Sequence, residues 1–475
     1  MMDEREFDAM LEDALTELPP SHAQTEEVTP WRRAMKRVVW GIGLTTLTIN
    51  TGGLQYILPV QGIILSVLGY RALREENRWF RVCWLLSLYN AAMKFFDLVI
   101  NATLIRLPEL NLLVWLSVVL GFVQTFCLWK GIRAVRKKAG QPDEAGVVIA
   151  LMLWELVILV LGLLGAGGWL FLLGPLIAYV FILRALGRIP ALLDDAGYDI
   201  APAPVRVPDM VMKVVWNAGV LACVMAATLL CCRYPMEWDV REDGEHAGLE
   251  HIEQTLIDLG VPEQVVKDLA PEDLALLEGA DHAEVRYHWE DFRNTGDALI
   301  HDIAVRLPDD RWMAIHHFHW DENVELRTTE CILLWPAYKE NFKEGYRQVR
   351  EITGRLLFDR DGAVYTGDYY SISDQTYTSQ SFFGLGGGTE THPIATFSLP
   401  LRGDYCRGYL CYVVECLDDG WLFDSWSNYT HQVDLWVYPM MTAEEYEKSG
   451  IWNGHGGFHT SQNAVQFRPT ELDAW

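Results

Sequence analysis

The sequence predicts a multi-domain membrane protein. An all-α polytopic membrane bundle of about seven hydrophobic segments is followed by a short helical neck and an extracytoplasmic all-β domain, a sandwich or jelly roll. Apolar runs long enough to cross a bilayer as helices fill the first half. From residue 283 the hydrophobic period changes to two, which is typical of strands. Charge divides the chain as well: residues 1–232 hold 20 basic and 20 acidic residues, and the remaining 18 basic and 44 acidic residues give 233–475 the entire net charge of −26.

These patterns divide the chain into four parts. We predict an acidic cytosolic tail over 1–30, a transmembrane helical domain over 31–232, a helical neck over 233–280 and a β-rich domain over 281–475. The acidity of the second half argues against nucleic acid or an anionic membrane surface as its partner.

The first 30 residues lack the basic start and apolar core of a secretory signal. Apolar residues from Phe7 to Leu18 recur at helical spacing, and Pro19 and Pro20 end the pattern. This predicts an amphipathic helix over 3–18, which either binds a partner protein or rests on the protein's own cytosolic face.

Basic residues set the predicted topology, because positive flanks favour the cytosolic side. The apolar stretch 38–70 has basic clusters on both sides and is too long for one span, so it is predicted as a hairpin or re-entrant segment that turns at 50–53 and breaks again at Pro59. The remaining spans alternate, which puts the N-terminus in the cytoplasm and the C-terminal domain outside a cell membrane.

One predicted span, 82–104, carries a stripe of polar side chains. Successive spacings of four, three and four place them on one helical face; they are Asn90, Lys94, Asp97 and Asn101. Another ionisable group, Glu155, lies in the middle of its own span. Charges inside a membrane are costly and usually functional. Together they predict an intramembrane polar site or transport pathway; the alternative is an ion-pair cluster that fixes helix packing.

Histidines give the β domain its strongest candidate site. His317 and His319 are two apart in a predicted strand, so they share a face and are candidate ligands for one metal ion. His288, His301 and Asp321 are candidates for a third ligand. The alternative is that these histidines are ordinary surface or interstrand residues. No other cofactor is indicated.

Weaker features complete the picture. The glycines at 384–388 indicate a flexible hairpin loop rather than a phosphate cradle. DRDG at 359–362 and DDG at 418–420 predict hairpin turns, and the tail from Gly450 is predicted to be irregular. Aromatic runs at 421–429 and 451–459 are candidates for binding a small molecule or glycan. The four cysteines after residue 232 permit up to two disulfides.

Three functions follow. The first is a membrane receptor, sensor or accessory protein whose external domain binds a ligand or partner. The second is a transporter or permease component that uses the intramembrane polar residues. The third is an extracytoplasmic metal-dependent hydrolase centred on His317 and His319. The sequence leaves open whether the protein is an enzyme.

Overall fold

The computed structural model describes residues 29–46, 53–105, 110–142, 145–164, 169–200, 203–293, 295–321, 324–339, 345–378, 389–449 and 456–472. The chain divides into two compact units. One comprises Met1–Val99 and Arg106–Cys223, and the other Ile100–Ile105 and Val224–Trp475. The helix predicted over 3–18 and the glycine loop 384–388 lie outside the described residues.

Seven helices are described in the first half of the chain. They are α1 (Pro30–Thr46), α2 (Leu54–Leu73), α3 (Arg78–Ile100), α4 (Leu110–Lys138), α5 (Gly146–Leu163), α6 (Trp169–Asp195) and α7 (Asp209–Cys231). Six of them, α2 to α7, are long and apolar enough to cross a membrane. Among the described residues, six of the roughly seven predicted segments are therefore candidate spans. Helix α1 has 17 described residues, and a span needs about 20.

The described residues of the apolar stretch 38–70 belong to two helices, α1 and α2. They pack antiparallel and very closely: a Cβ on Gly41 would lie 2.8 Å from the Gly62 carbonyl oxygen, and one on Gly69 would lie 2.9 Å from the Ala34 carbonyl oxygen. Small residues allow this backbone approach. The predicted break at Pro59 is wrong, since α2 continues through it.

Helix α3 begins at an asparagine cap and ends one residue before the predicted stripe does. Asn77 Oδ1 accepts hydrogen bonds from the backbone N–H groups of Trp79 and Phe80, both at 3.0 Å, which satisfies two donors of the first turn. The helix ends at Ile100, so Asn101 is outside it and belongs to the second unit, where its carbonyl accepts a hydrogen bond from Met440 N.

The second unit is antiparallel and mainly β. Its strands are β1 (Asp239–Val240), β2 (His282–Asp291), β3 (Asp297–Leu307), β4 (Arg311–Trp320), β5 (Glu330–Trp335), β6 (Tyr346–Arg360), β7 (Ala363–Gly367), β8 (Ser371–Thr378), β9 (Thr389–Phe397), β10 (Asp404–Cys416), β11 (Phe423–Gln432) and β12 (Phe458–Phe467). They form a seven-stranded sheet in the order β1-β7-β6-β10-β4-β3-β2 and a five-stranded sheet in the order β12-β11-β5-β9-β8.

The two sheets share a core, as in a sandwich. Phe318 and Trp320 of the larger sheet pack with Phe397 and Tyr429 of the smaller one. The turn at Asp361 and Gly362 has positive φ at both residues, as a two-residue hairpin requires.

Several details of the β prediction are wrong. The segment 418–420 is not a hairpin turn, because the strands on its two sides, β10 and β11, belong to different sheets. The tail from Gly450 contains β12, and strand β8 is additional. The segment 431–438, HQVDLWVY, has the apolar alternation of a strand, but its residues after Gln432 leave the sheet.

Short helices cover part of the outer face of the larger sheet. They are α8 (Glu250–Asp258), α9 (Glu263–Asp268) and α10 (Pro271–Ala275), within the segment predicted as a neck. Pro271 begins α10, a position where proline is favoured. Their apolar residues share a buried cluster with Met313, Ile315 and Tyr409 of the sheet. The helices therefore form part of this unit's core, and α9 carries Asp268 to the sheet surface. Two more helices, α11 (Ala443–Ser449) and α12 (Pro469–Leu472), follow in the chain.

Candidate metal centre

Three histidines meet on the outer face of the larger sheet. Strands β3 and β4 pair so that His301 lies directly opposite His317, and His319 follows two residues along β4 on the same face. One ring nitrogen of each histidine lies within 4.8 Å of the others. In a tetrahedral zinc site with Zn–N distances of about 2.0–2.1 Å the nitrogens are about 3.3 Å apart. The limit of 4.8 Å is therefore larger than the nitrogen spacing of a bound tetrahedral site.

Each of the three rings has a nitrogen without a hydrogen-bond partner. The Nδ1 atoms of His301, His317 and His319 are all buried and make no hydrogen bond. A buried polar atom without a partner is costly, and most are satisfied in folded proteins. A metal ion that accepts nitrogen lone pairs would satisfy such atoms.

A carboxylate orients the central histidine. His317 Nε2 lies 2.9 Å from Asp268 Oδ2, and both side chains are fully buried. This contact uses Nε2 as a donor and leaves the Nδ1 lone pair free for a metal. Metal-bound histidines commonly have such a carboxylate on the other nitrogen, which fixes the tautomer and ring orientation.

Asp268 is held by more than the histidine. Arg407 Nε donates to its Oδ1 at 2.8 Å, and Gln264 Nε2 lies 3.0 Å from each oxygen. Burial acts to raise the pKa of Asp268, but the His317 imidazole and the Arg407 guanidinium outweigh it, so the pKa ends below its usual value. The group that orients His317 is therefore a carboxylate at neutral pH.

The other two histidines are neutral. Burial, together with the neighbouring imidazoles, lowers the pKa of His301 to about 3. Burial and then His317 lower the pKa of His319 to about 4. Neutral imidazole is the form that binds metals, so neither ring must lose a proton first at neutral pH.

Aromatic side chains border the cluster. The Tyr405 ring stacks on His319 at a centroid distance of 6.0 Å, and the Trp289 ring meets His319 edge-on at 6.2 Å. Tyr287 contacts His301 from strand β2. Tyr287 and Trp289 are both largely exposed, so the cluster lies just beneath the surface, at the part of the sheet next to the edge strand.

The other predicted ligands are elsewhere. His288 is half exposed and contacts Glu290, and its position in β2 points to the opposite face from Tyr287. Asp321 is exposed just after β4. Of the three candidates for a third ligand, the structure brings only His301 into the cluster.

A second histidine group lies between the sheets. His316 Nδ1 is 2.5 Å from Asp302 Oδ1, and its Nε2 is 2.8 Å from Ser425 Oγ. The order Ser, His, Asp matches a hydrolase triad. However, Tyr412 donates to the same Ser425 oxygen at 2.7 Å, and all four side chains are buried in the core. This group therefore stabilises the sandwich.

The structure divides the residues of the predicted intramembrane site between separate contacts. Lys94 Nζ and Asp97 Oδ2 pair at 2.7 Å, with the carboxylate half exposed. Glu155 Oε1 instead accepts a hydrogen bond from Thr125 at 2.8 Å. Asn90 donates to Gln124 Oε1 at 2.8 Å. Glu155 and Asn90 line one cavity, and Lys94 and Asp97 are not among its lining residues.

Other candidates are also placed by the structure. All nine cysteines are free thiols, including Cys331, Cys406, Cys411 and Cys416. The aromatic run 421–429 is largely strand β11, whose Phe423 and Tyr429 are core residues. Most of the run 451–459 lies outside the described residues.

Comparison with known proteins adds little. No family model and no curated protein matches the chain. Among solved structures, a chain described as "Pore forming protein" is similar over 39% of this chain and 90% of its own length, at 7% sequence identity and a TM-score of 0.17. A TM-score this low supports no argument about fold or function. Six apolar helices joined to an antiparallel β unit fit a membrane protein.

Proposed function

We propose that this protein is a multi-pass membrane receptor or sensor whose β domain binds a divalent transition-metal ion. In this proposal His301, His317 and His319 are the ligands, the N-terminus is cytoplasmic and the β domain is extracytoplasmic. The observation that carries it is the meeting of three histidine rings beside a carboxylate that orients one of them. One nitrogen of each ring lies within 4.8 Å of the others, and each ring has a buried Nδ1 that makes no hydrogen bond.

The ligand set limits the metal. Three imidazoles without thiolates suit zinc, copper, nickel or cobalt, whereas magnesium and calcium require oxygen ligands. Three protein ligands also leave one position open in a tetrahedral site. A receptor would use that position for a group from its ligand, and an aromatic border of Trp289 and Tyr405 would contact that ligand.

The open position also favours a second candidate, the metal-dependent hydrolase. A three-histidine zinc site keeps its fourth position for water and lowers the pKa of that water toward neutrality. Hydrolysis of an activated ester that is lost with the metal would support this candidate over a receptor.

Metal binding is the direct test. The full-length protein, purified in detergent and stripped with a chelator, should bind one equivalent of zinc in titration calorimetry. With cobalt it should give the visible absorption of a tetrahedral ion. His317→Ala and His319→Ala should abolish both signals. His288→Ala is the matched control and should leave both unchanged.

Two results would overturn the proposal. One is a wild-type protein that binds no zinc or cobalt. The other is a His288→Ala variant that loses as much binding as His317→Ala, which would mean that surface histidines bind the ion.

A further inference from the structure

We propose that the helical unit contains a binding site for a small organic cation of the primary-amine class, centred on Glu155. This site is independent of the metal centre and of the function proposed for it. It combines a cavity, a carboxylate with a free oxygen, and a polar lining.

The cavity is bounded by α1 to α5 and has a volume of about 250 Å³. That is room for about eight groups the size of water, at about 30 Å³ each. It lies just below the range of about 300–1,000 Å³ that is usual for drug-sized ligands. Its size fits a small metabolite better than a bare ion held by closely packed ligands.

The lining is polar and carries one ionisable acid. Nine of its thirteen residues have polar side chains, and none of them is Lys, Arg or His. An anionic ligand would find no positive partner there, and a neutral apolar ligand would leave the polar atoms unsatisfied.

Glu155 provides the charge and a free acceptor. Its Oε1 accepts from Thr125, whereas Oε2 is buried and makes no hydrogen bond. A buried carboxylate is costly unless it is paired and hydrogen-bonded. An ammonium group would supply the opposite charge and three donors. Those donors would pair with the Glu155 carboxylate and with oxygens of the lining.

The neighbouring side chains are held in place for such a ligand. Asn90 donates to Gln124 Oε1 at 2.8 Å, which joins α3 to α4 across the cavity. The Thr125 hydrogen bond joins α4 to α5. The acceptors are therefore fixed by contacts between helices, so little ordering is needed on binding.

The test uses the full-length protein in phosphatidylcholine nanodiscs, with ethanolamine as the probe in titration calorimetry. Ethylene glycol is the neutral probe of similar size, and sodium chloride tests for an inorganic ion. Ethanolamine should bind, and the other two should neither bind nor compete. Binding of ethylene glycol as strong as that of ethanolamine, or saturable binding of sodium at the same site, would overturn the assignment.

Two variants test the location. Glu155→Gln keeps the shape and loses the charge, so ethanolamine should bind about 10- to 100-fold more weakly, as expected for a lost charge-assisted hydrogen bond. Asp97→Asn is its control, because it removes a carboxylate that does not line the cavity; it should leave the affinity unchanged.

Filling the cavity is an independent test that spares every polar group. A Cβ on Gly121, which lines the cavity, meets nothing within 4 Å. Gly121→Leu should therefore abolish binding while favouring the helix. Gly162 has equally open surroundings but does not line the cavity, so Gly162→Leu should bind normally. The site would be refuted if Gly121→Leu and Gly162→Leu changed the affinity for ethanolamine equally. Equal changes in Glu155→Gln and Asp97→Asn would refute it as well.

Discussion

Replacing Asp268 with asparagine should weaken metal binding while all three histidine ligands remain. The Asp268 carboxylate lies 2.9 Å from His317 Nε2 and 2.8 Å from Arg407 Nε. Asparagine keeps the size of the side chain but removes the charge that favours a proton on Nε2 and a lone pair on Nδ1. The effect on the metal therefore acts through the orientation and basicity of His317.

Two magnitudes follow from these contacts. Loss of a carboxylate that orients a metal-bound histidine typically costs 10- to 100-fold in affinity, which is about 1.4–2.8 kcal/mol. Breaking a buried ion pair costs about 3–5 kcal/mol of folding free energy. Arg407 keeps its hydrogen bonds to Asp359 Oδ1 at 2.9 Å and to the Tyr405 carbonyl at 2.8 Å. We therefore expect the stability loss to fall at the lower end of that range.

The assay is zinc affinity measured by competition with a chromophoric chelator, with thermal stability of the metal-free protein measured in parallel. Glu330→Gln is the matched control. Glu330 is another fully buried carboxylate paired with a histidine, His431 at 2.8 Å, and it lies in the other sheet. The Glu330→Gln substitution should lower the thermal stability of the protein without changing its affinity for zinc. The role given to Asp268 would be refuted if Asp268→Asn bound zinc with wild-type affinity. It would also be refuted if Asp268→Asn and Glu330→Gln lost the same amount of zinc affinity.

Three further predictions concern the whole chain. Lys94→Met and Asp97→Leu should each lower the free energy of unfolding by roughly 2.5–3.5 kcal/mol, which is the cost of an unpaired charge in a span. The double variant should lose much less, and equal tolerance of both single changes would contradict an intramembrane pair. Glu75→Cys should react with an impermeant maleimide only after permeabilisation, whereas Asp419→Cys should react in intact cells; labelling of position 75 from outside would reverse the topology. A fragment over 237–475 should be soluble with a circular dichroism spectrum dominated by strands, and an aggregated or helical fragment would count against a separate β domain.

Periodicity predicted the central strands of the β unit and missed the edges of its smaller sheet. β8 (Ser371–Thr378) and β12 (Phe458–Phe467) are the two outer strands in the order β12-β11-β5-β9-β8. An edge strand pairs on one side only, so its sequence can be polar and lack a regular apolar alternation. The segment 371–378 has a single aliphatic residue, Ile372. Its assignment as a strand depends on pairing with β9, which local sequence does not reveal.

Helical spacing predicted which intramembrane residues share a face, but it did not predict what each face meets. Asn90 and Lys94 are four residues apart on α3, yet Asn90 lines the cavity and Lys94 does not. Glu155 pairs with Thr125 rather than with the charges of α3. Which helices become neighbours depends on packing over the whole unit, and a single sequence contains no direct record of it.

The third proposed metal ligand, His301, could in contrast have been identified from the sequence. His317 and His319 share a face by alternation alone. The segments 298–307 and 311–320 both have a strand-like apolar pattern, and only three residues separate them: Pro308, Asp309 and Asp310. So short a connection forces an antiparallel hairpin and fixes its register. Leu307 then pairs with Arg311, and His301 must pair with His317, as the structure has it. Asp268 is different, because it comes from a helix 49 residues before His317 and reaches it only through the packing of α8 to α10 on the sheet. The proposed ligands of this centre therefore follow from local rules, whereas the carboxylate that orients His317 depends on tertiary structure.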